Sequence, residues 1–301
     1  MREEGSLSVR KILVPLSGRY DPDASEQLDG SALALGLAVG QAFGAHVEAF
    51  CVEAALRDTR PLLIPGVPGS EIDELIGAIE KENRKWRKQA RETFDRLVEQ
   101  ANAPIAETPV GGIGFSAAFV EQIGDVADAL AMRGRLTDLI VTAHRTIDGD
   151  ELLPLMLQVA LRETGRPVLV APGEAASFAP RRVAIAWDGG AKASRAAALA
   201  APFIEVAEQV TVISVTEGDA SPRRADALAD YLAWHGIDAA EIDASASPHD
   251  VGATLLAKAA EAEADLLVMG ARMRTSLGRW IFGGATGAVL GHAAVPVMMA
   301  A

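Results

Sequence analysis

Residues 265–299 read DLLVMGARMRTSLGRWIFGGATGAVLGHAAVPVMM, and the order of residue types in this stretch decides the fold. It opens on Leu266, Leu267, Val268 and Met269, an apolar run without alternation, as in a strand buried on both faces. Gly270 follows, then a loop carrying Arg272, Arg274 and Arg279. Gly283 and Gly284 open a helical stretch, and Val295-Pro296-Val297 begins another strand. Strand, glycine, basic loop, glycine pair and helix together offer backbone N–H groups and a helix N-terminus, which suits a phosphate. No Asp or Glu follows Asp265, so the local field is positive in an otherwise acidic chain. A plainer reading uses the same residues: Gly270 ends a strand, the glycine pair caps a helix, and the arginines are a solvated face.

Working outward, the same grammar occurs twice. KILVPLSG opens the first half and RRVAIAWDGG the second, each followed by an alanine-rich helical stretch, at 30–43 and 192–206. Later come DLIVTAHR at 138–145 and DLLVMGAR at 265–272. The halves close on RPVLVAP at 166–172 and VPVMMA at 295–300. Strands alternating with helices predict an α/β protein of two tandem doubly wound domains, each a five-stranded parallel sheet with helices on both faces. The predicted strands are 12–16, 46–52, 105–109, 138–142 and 167–171, then 183–187, 210–215, 239–243, 266–269 and 295–299. Domains at 1–178 and 179–301 are predicted, joined through a proline- and alanine-rich linker at 172–180. The first domain carries an insertion at about 56–101, whose second part is a long charged helix with an apolar stripe of Ile72, Leu75, Ile76 and Ile79. The closing strands are short, apolar and at a sheet edge in this order, which predicts an intramolecular pseudo-dimer. A homodimer is a further expectation.

Composition bounds the function. The 301 residues are half hydrophobic and carry a formal net charge of −13. Residues 1–178 hold 18 basic against 27 acidic side chains, and 179–301 hold 10 against 14. Neither half has the basic footprint of a duplex nucleic-acid binder. Cys51 is the sole cysteine, so no intrachain disulfide forms, and its apolar neighbours read as core. No apolar run is long enough to span a membrane, and the first ten residues are not a signal peptide. A cytoplasmic protein is expected, without nucleic-acid or membrane partners.

These residues resemble the universal stress protein family, in a tandem two-domain form. The resemblance covers nearly the whole chain and is strongest over 182–301. The family's ATP-binding members carry Gly-x-x-Gly, nine residues, then Gly followed by Ser or Thr. Here the match is Gly270-Ala-Arg-Met273, nine residues, then Gly283-Gly284, with Ala285 and Thr286 continuing the helix entrance. By resemblance, Asp188 takes the place of the Asp that contacts the nucleoside. Val215 takes that of the residue lying against adenine, and Met269 that of the apolar residue before the first glycine. Arg274 stands where the family often places a basic residue near the phosphates, and Arg272 lies beside it. Two positions depart. Met273 replaces the second glycine, which implies either a blocked or a refilled loop, and a return to glycine is expected to tighten ATP binding. Gly284 replaces the hydroxyl residue, leaving its N–H and the hydroxyl of Thr286. The first half departs further: Ser17 stands at the Asp position, and Pro154 falls where Gly283 sits. His144 and Arg145 lie at a strand end and read as loop residues or as remnants of a site.

No catalytic motif stands out, and the five histidines have no zinc-ligand spacing. The resemblance implies a stress-response module that binds ATP or a related adenine nucleotide in the second half, with at most slow hydrolysis. Mg²⁺ is expected, if at all, through Asp188. The competing reading is a scaffold or small-ligand module of the same fold that has abandoned ATP. A catalytic relative of the fold is a third reading, resting on fold analogy alone.

Overall fold

The computed structural model describes residues 8–18, 20–21, 26–27, 29–54, 69–108, 114–143, 152–172, 178, 180–218, 225–247, 249–276 and 279–301. His144, Arg145, most of the linker and the first part of the insertion lie outside the described residues.

The chain begins with β1 (Lys11–Leu16), then a two-residue ribbon of β2 (Tyr20–Asp21) and β3 (Glu26–Gln27). Next come α1 (Asp29–Phe43), β4 (His46–Ala54), α2 (Gly69–Gln100), β5 (Ser116–Gly124) and α3 (Val126–Gly134). β6 (Leu139–Ala143), α4 (Leu152–Glu163) and β7 (Val168–Ala171) complete this half. The second half runs β8 (Arg182–Ala186), α5 (Ala191–Leu199), α6 (Ala201–Ile204), β9 (Gln209–Glu217), α7 (Asp226–Ala233) and β10 (Ala239–Ala246). It ends with α8 (Val251–Glu261), β11 (Leu266–Gly270), a hairpin of β12 (Met273–Ser276) and β13 (Arg279–Phe282), α9 (Gly284–His292) and β14 (Val297–Ala300).

Ten strands form one sheet in the order β10-β9-β8-β11-β14-β7-β6-β1-β4-β5. Read outward from the centre, each side has the same order, with its first strand in the middle. All pairs are parallel except the central one, where β14 meets β7 antiparallel: Val297 opposes Val170, Met298 opposes Leu169 and Met299 opposes Val168. Those side chains are fully buried or nearly so. The apolar edge of each half is therefore covered by the other. Phe203 reinforces the joint from one face, with ring contacts to Phe43 at 5.0 Å and to Phe178 at 5.9 Å. Each such pair contributes roughly 0.5–1.5 kcal/mol beyond its buried area.

Three expectations need correction. The strand at 105–109 is only a single bridge, Ile105 to Ala117. The edge strand is β5, paired with β4 from His46–Ser116 to Ala54–Gly124. Ile105 is 59% exposed, whereas Ala117 and Ala118 are buried, so the edge takes the segment with small residues to sink into the core. The helix at 192–206 is two helices, because Pro202 opens α6 and cannot continue the hydrogen-bond ladder of α5. The basic loop after Gly270 is not a loop. Residues 273–276 and 279–282 pair as a hairpin in which Met273 opposes Phe282, and both side chains pack on the core.

Beneath the sheet, Glu48 is 5% exposed and accepts from Arg133 and from Lys11 at 3.2 Å. Burial pushes its carboxyl up, but the hydrogen bond and charge of Arg133 and the charge of Lys11 outweigh that and hold it below the usual range. Cys51 is buried and free, and burial raises its thiol to about 12, so it behaves as a small core residue.

Candidate functional site

In a doubly wound sheet, ligands sit beyond the carboxyl ends of the strands, where the strand order reverses. In the second half that point lies where β8 is flanked by β9 and β11. A cavity of about 550 Å³ opens there, the size of an ordinary small-molecule site. Asp188 reaches it from the turn after β8, Val215 from β9, Met269 and Gly270 from β11. Arg272 follows, and Gly283, Gly284, Ala285 and Thr286 enter from the start of α9. Thus every sequence-chosen residue whose side chain is described lines one cavity. Arg274 is on β12, paired with Ile281, and its side chain lies outside the described residues.

The walls divide chemically. Ile213, Val215, Val251, Leu255 and Met269 make an apolar side. Two helix N-termini, of α5 and α9, also line the cavity. α9 is capped by Gly283 and α5 by Gly190, and neither cap residue has a side-chain bond to offer. First-turn N–H groups have no partner within their own helix, so both ends suit an anion.

The loop between β11 and β12 is held by a short chain of bonds. Arg272 N–H donates to Thr286 Oγ1 at 3.2 Å, and Gly283 N–H donates to the Arg272 carbonyl at 2.7 Å. Thr286 is 2% exposed, so its hydroxyl braces the loop from below instead of standing free for a phosphate. The Arg272 guanidinium donates to Asp188 Oδ2 at 2.9 Å, and Gly190 N–H donates to Asp188 Oδ1 at 2.9 Å. Both partners of the ion pair are substantially exposed, at 60% and 40%, so it adds little stability and mainly fixes the two side chains.

The glycines carry different roles from those their motif suggests. A Cβ on Gly270 would lie 2.7 Å from Ala193 N and 2.8 Å from the Lys192 carbonyl carbon. Gly270 is therefore required by the approach of the α5 backbone. A Cβ on Gly283 would press on Arg272 at 3.3 Å, whereas one on Gly284 would meet nothing within 4 Å. Met273 does not line the cavity. Its side chain packs on the core with Phe282, so it refills the loop instead of blocking it, and the expectation that Met273→Gly tightens binding has no basis in this geometry.

Sequence reasoning missed Trp187, Lys192, Thr216, Glu217 and Gly218, all of which line the cavity. Thr216 to Gly218 follow Val215 directly, and their only signal was that position at a strand end. Lys192 had no motif; it lies in the first turn of an alanine-rich helix, and its amine donates to the Ala271 carbonyl at 2.9 Å.

The first half repeats the turn, but among the described residues it is covered. Gly18 and Gly189 follow Ser17 and Asp188 with nearly the same positive φ, 68° and 69°. At Ser17 the turn closes on Asp29, whose Oδ1 accepts from Ser17 N–H and Oγ–H at 2.9 Å each and whose Oδ2 accepts from Gly18 N–H at 2.6 Å. Asp29 is 2% exposed. Helix α2 lies directly on this turn: a Cβ on Gly18 would be 2.0 Å from the Trp86 carbonyl oxygen. Arg87, on the same helix, bridges Glu53 at 2.6 Å and Glu121 at 3.7 Å on the adjoining strands. Pro154 is in the first turn of α4, and residues 144–151, which lead into that helix, lie outside the described residues.

Fold and cavity together define a doubly wound α/β protein with a small-molecule-sized cavity at the strand ends of its second half. Residues 180–301 match the model of the universal stress protein family. Over its whole length the chain is similar in fold to a universal stress protein from Archaeoglobus fulgidus DSM 4304. The two share 17% identity over 97% of this chain and 96% of that one, with a TM-score of 0.66. A putative universal stress protein from Pseudomonas aeruginosa UCBPP-PA14 follows at 17% identity, 97% and 93% coverage and a TM-score of 0.52. A functionally unknown protein from Pseudomonas aeruginosa PAO1 gives 16%, 97% and 92%, and 0.50. At such identities the likeness is one of fold. No curated protein matches the chain.

Proposed function

We propose that this chain is a stress-response protein that binds an adenine nucleotide in a C-terminal domain, 179–301, while an N-terminal domain, 1–178, serves as scaffold. The observation that carries this is the cavity at the ends of β8, β9 and β11, lined both by apolar side chains and by two helix N-termini. An adenine ring fits between Val215 and Met269, the Asp188 carboxylate suits a ribose hydroxyl, and the N–H groups opening α9 suit a phosphate. Asp188 is engaged by Arg272 and Gly190 and no base is aimed at a phosphate-bound water, so hydrolysis is at most slow. Mg²⁺ finds no cage here. Among the described residues no three His, Cys, Asp or Glu side chains cluster, so the ion would arrive with the phosphates.

A second reading, a different small ligand in the same cavity, is favoured by two findings. Gly270 is explained by packing alone, and Met273 closes the loop into a hairpin. Two measurements separate the readings: mass spectrometry of ligand released from the purified protein, and equilibrium dialysis against adenosine, AMP, ADP and ATP. An adenine nucleotide released, or bound at or below about 1 mM, supports the proposal. Another compound released, with no adenine ligand bound, supports the second reading.

A further inference from the structure

We infer that Lys192 is the residue that binds the ligand's phosphate, in place of Arg272. This rests on the adenine-nucleotide reading for the identity of the ligand, and on the cavity's own charges for the role of the residue.

Four cationic or anionic side chains line the cavity: Asp188, Lys192, Glu217 and Arg272. Arg272 is committed to Asp188. Lys192 is not so engaged. Among the described residues no carboxylate pairs with it, and its amine makes one hydrogen bond, to the Ala271 carbonyl. An ammonium has three donors, so two remain to be directed into the cavity. Its position is fixed. The Lys192 and Ala193 backbone rests against Gly270, and the amine is anchored between Gly270 and Arg272, beside the loop that leads to α9.

Placement of a cation here runs against local electrostatics. Lys192 is in the first turn of α5, at the positive end of its macrodipole, where acidic side chains are favoured. The start of α9, also positive, lines the same cavity, where Arg272 and Asp188 offset each other and Glu217 is the remaining acidic side chain. Local rules broken without local compensation mark functional positions, and an anion in the cavity would compensate all of these features together. A lysine suits this task as a compact point charge with freely directed donors.

The test is calorimetric titration of the full chain and of Lys192→Gln with ATP, adenosine and inorganic tripolyphosphate. Lys192 is only half-buried, and removing a cation from a positive region should leave the fold intact, which thermal melting verifies. The expected result is ATP affinity about 10- to 100-fold lower in Lys192→Gln with adenosine affinity unchanged, and a smaller loss in Lys192→Arg. Equal ATP affinity in wild type and Lys192→Gln overturns the inference and leaves the nucleotide reading standing. Lys192-dependent binding of tripolyphosphate without binding of ATP or adenosine upholds the inference and overturns the nucleotide reading. Binding of none of the three overturns both.

Discussion

Gly270→Ala isolates what the first glycine of the loop is for. Its φ is not among the positive ones, so the glycine is not demanded by the backbone. The demand is steric. The added methyl would lie 2.7 Å from Ala193 N, 2.8 Å from the Lys192 carbonyl carbon and 2.9 Å from Lys192 Cβ. Two of these atoms are helix backbone and cannot rotate away, so α5 must move off the end of β11. Overpacking of this kind costs about 1–3 kcal/mol. Gly284→Ala is the matched control, since its methyl meets nothing within 4 Å, and the expected change is within about 0.5 kcal/mol. Urea denaturation followed by circular dichroism measures both, with the midpoint falling for Gly270→Ala at an unchanged slope. If Gly270→Ala is as stable as wild type, the close approach of α5 to this strand end is wrong, and with it the argument that Lys192 is anchored there.

Other outcomes follow from the same geometry. Gly18→Ala faces both a left-handed φ of 68° and the Trp86 carbonyl at 2.0 Å, so it should destabilise by about 2–4 kcal/mol, read by urea denaturation, while leaving ligand binding in the second half intact. Met273→Gly should lower stability by about 2–4 kcal/mol through loss of core packing, without tightening ATP binding in dialysis. Glu48 has a carboxyl held below its usual range, so its contribution to stability is present above about pH 4.5 and lost as pH falls through the lower folded value. Glu48→Gln should therefore be less stable than wild type at pH 7, and the gap should close in denaturation measured near pH 3.

Much of the fold was legible in the sequence because it is written twice. The unalternated runs at Ile12, Val183 and Leu266 fit strands buried on both faces, and the repeat of their order predicted the parallel sheet and a pseudo-dimer through the closing strands. The edge strand β5 was misplaced because edge residues are only half-buried, so Ile105 and its neighbours carry as much apolar signal as Ser116 to Gly124. The hairpin after Gly270 was hidden by Arg274 and Arg279, which with Arg272 read as a loop although Met273 and Phe282 supply an inner face. Site residues at strand ends, Asp188, Val215 and Gly270, could be placed from order, whereas Met269 was reached through the family resemblance. Lys192 could not, because its meaning depends on a backbone contact with Gly270, 78 positions away in sequence. The cover of α2 over Gly18 was equally unreadable: it is a contact of backbone with backbone, and no side-chain pattern records it.

The central claim is that one cavity, in the second half alone, receives an adenine nucleotide. Titration calorimetry of ATP into the intact chain and into Val215→Trp tests it most directly, because Val215 lines that cavity and an indole there would fill the adenine position. The expected result is one equivalent bound per chain and none in Val215→Trp. Two equivalents, no binding to wild type, or full affinity retained in Val215→Trp would contradict it.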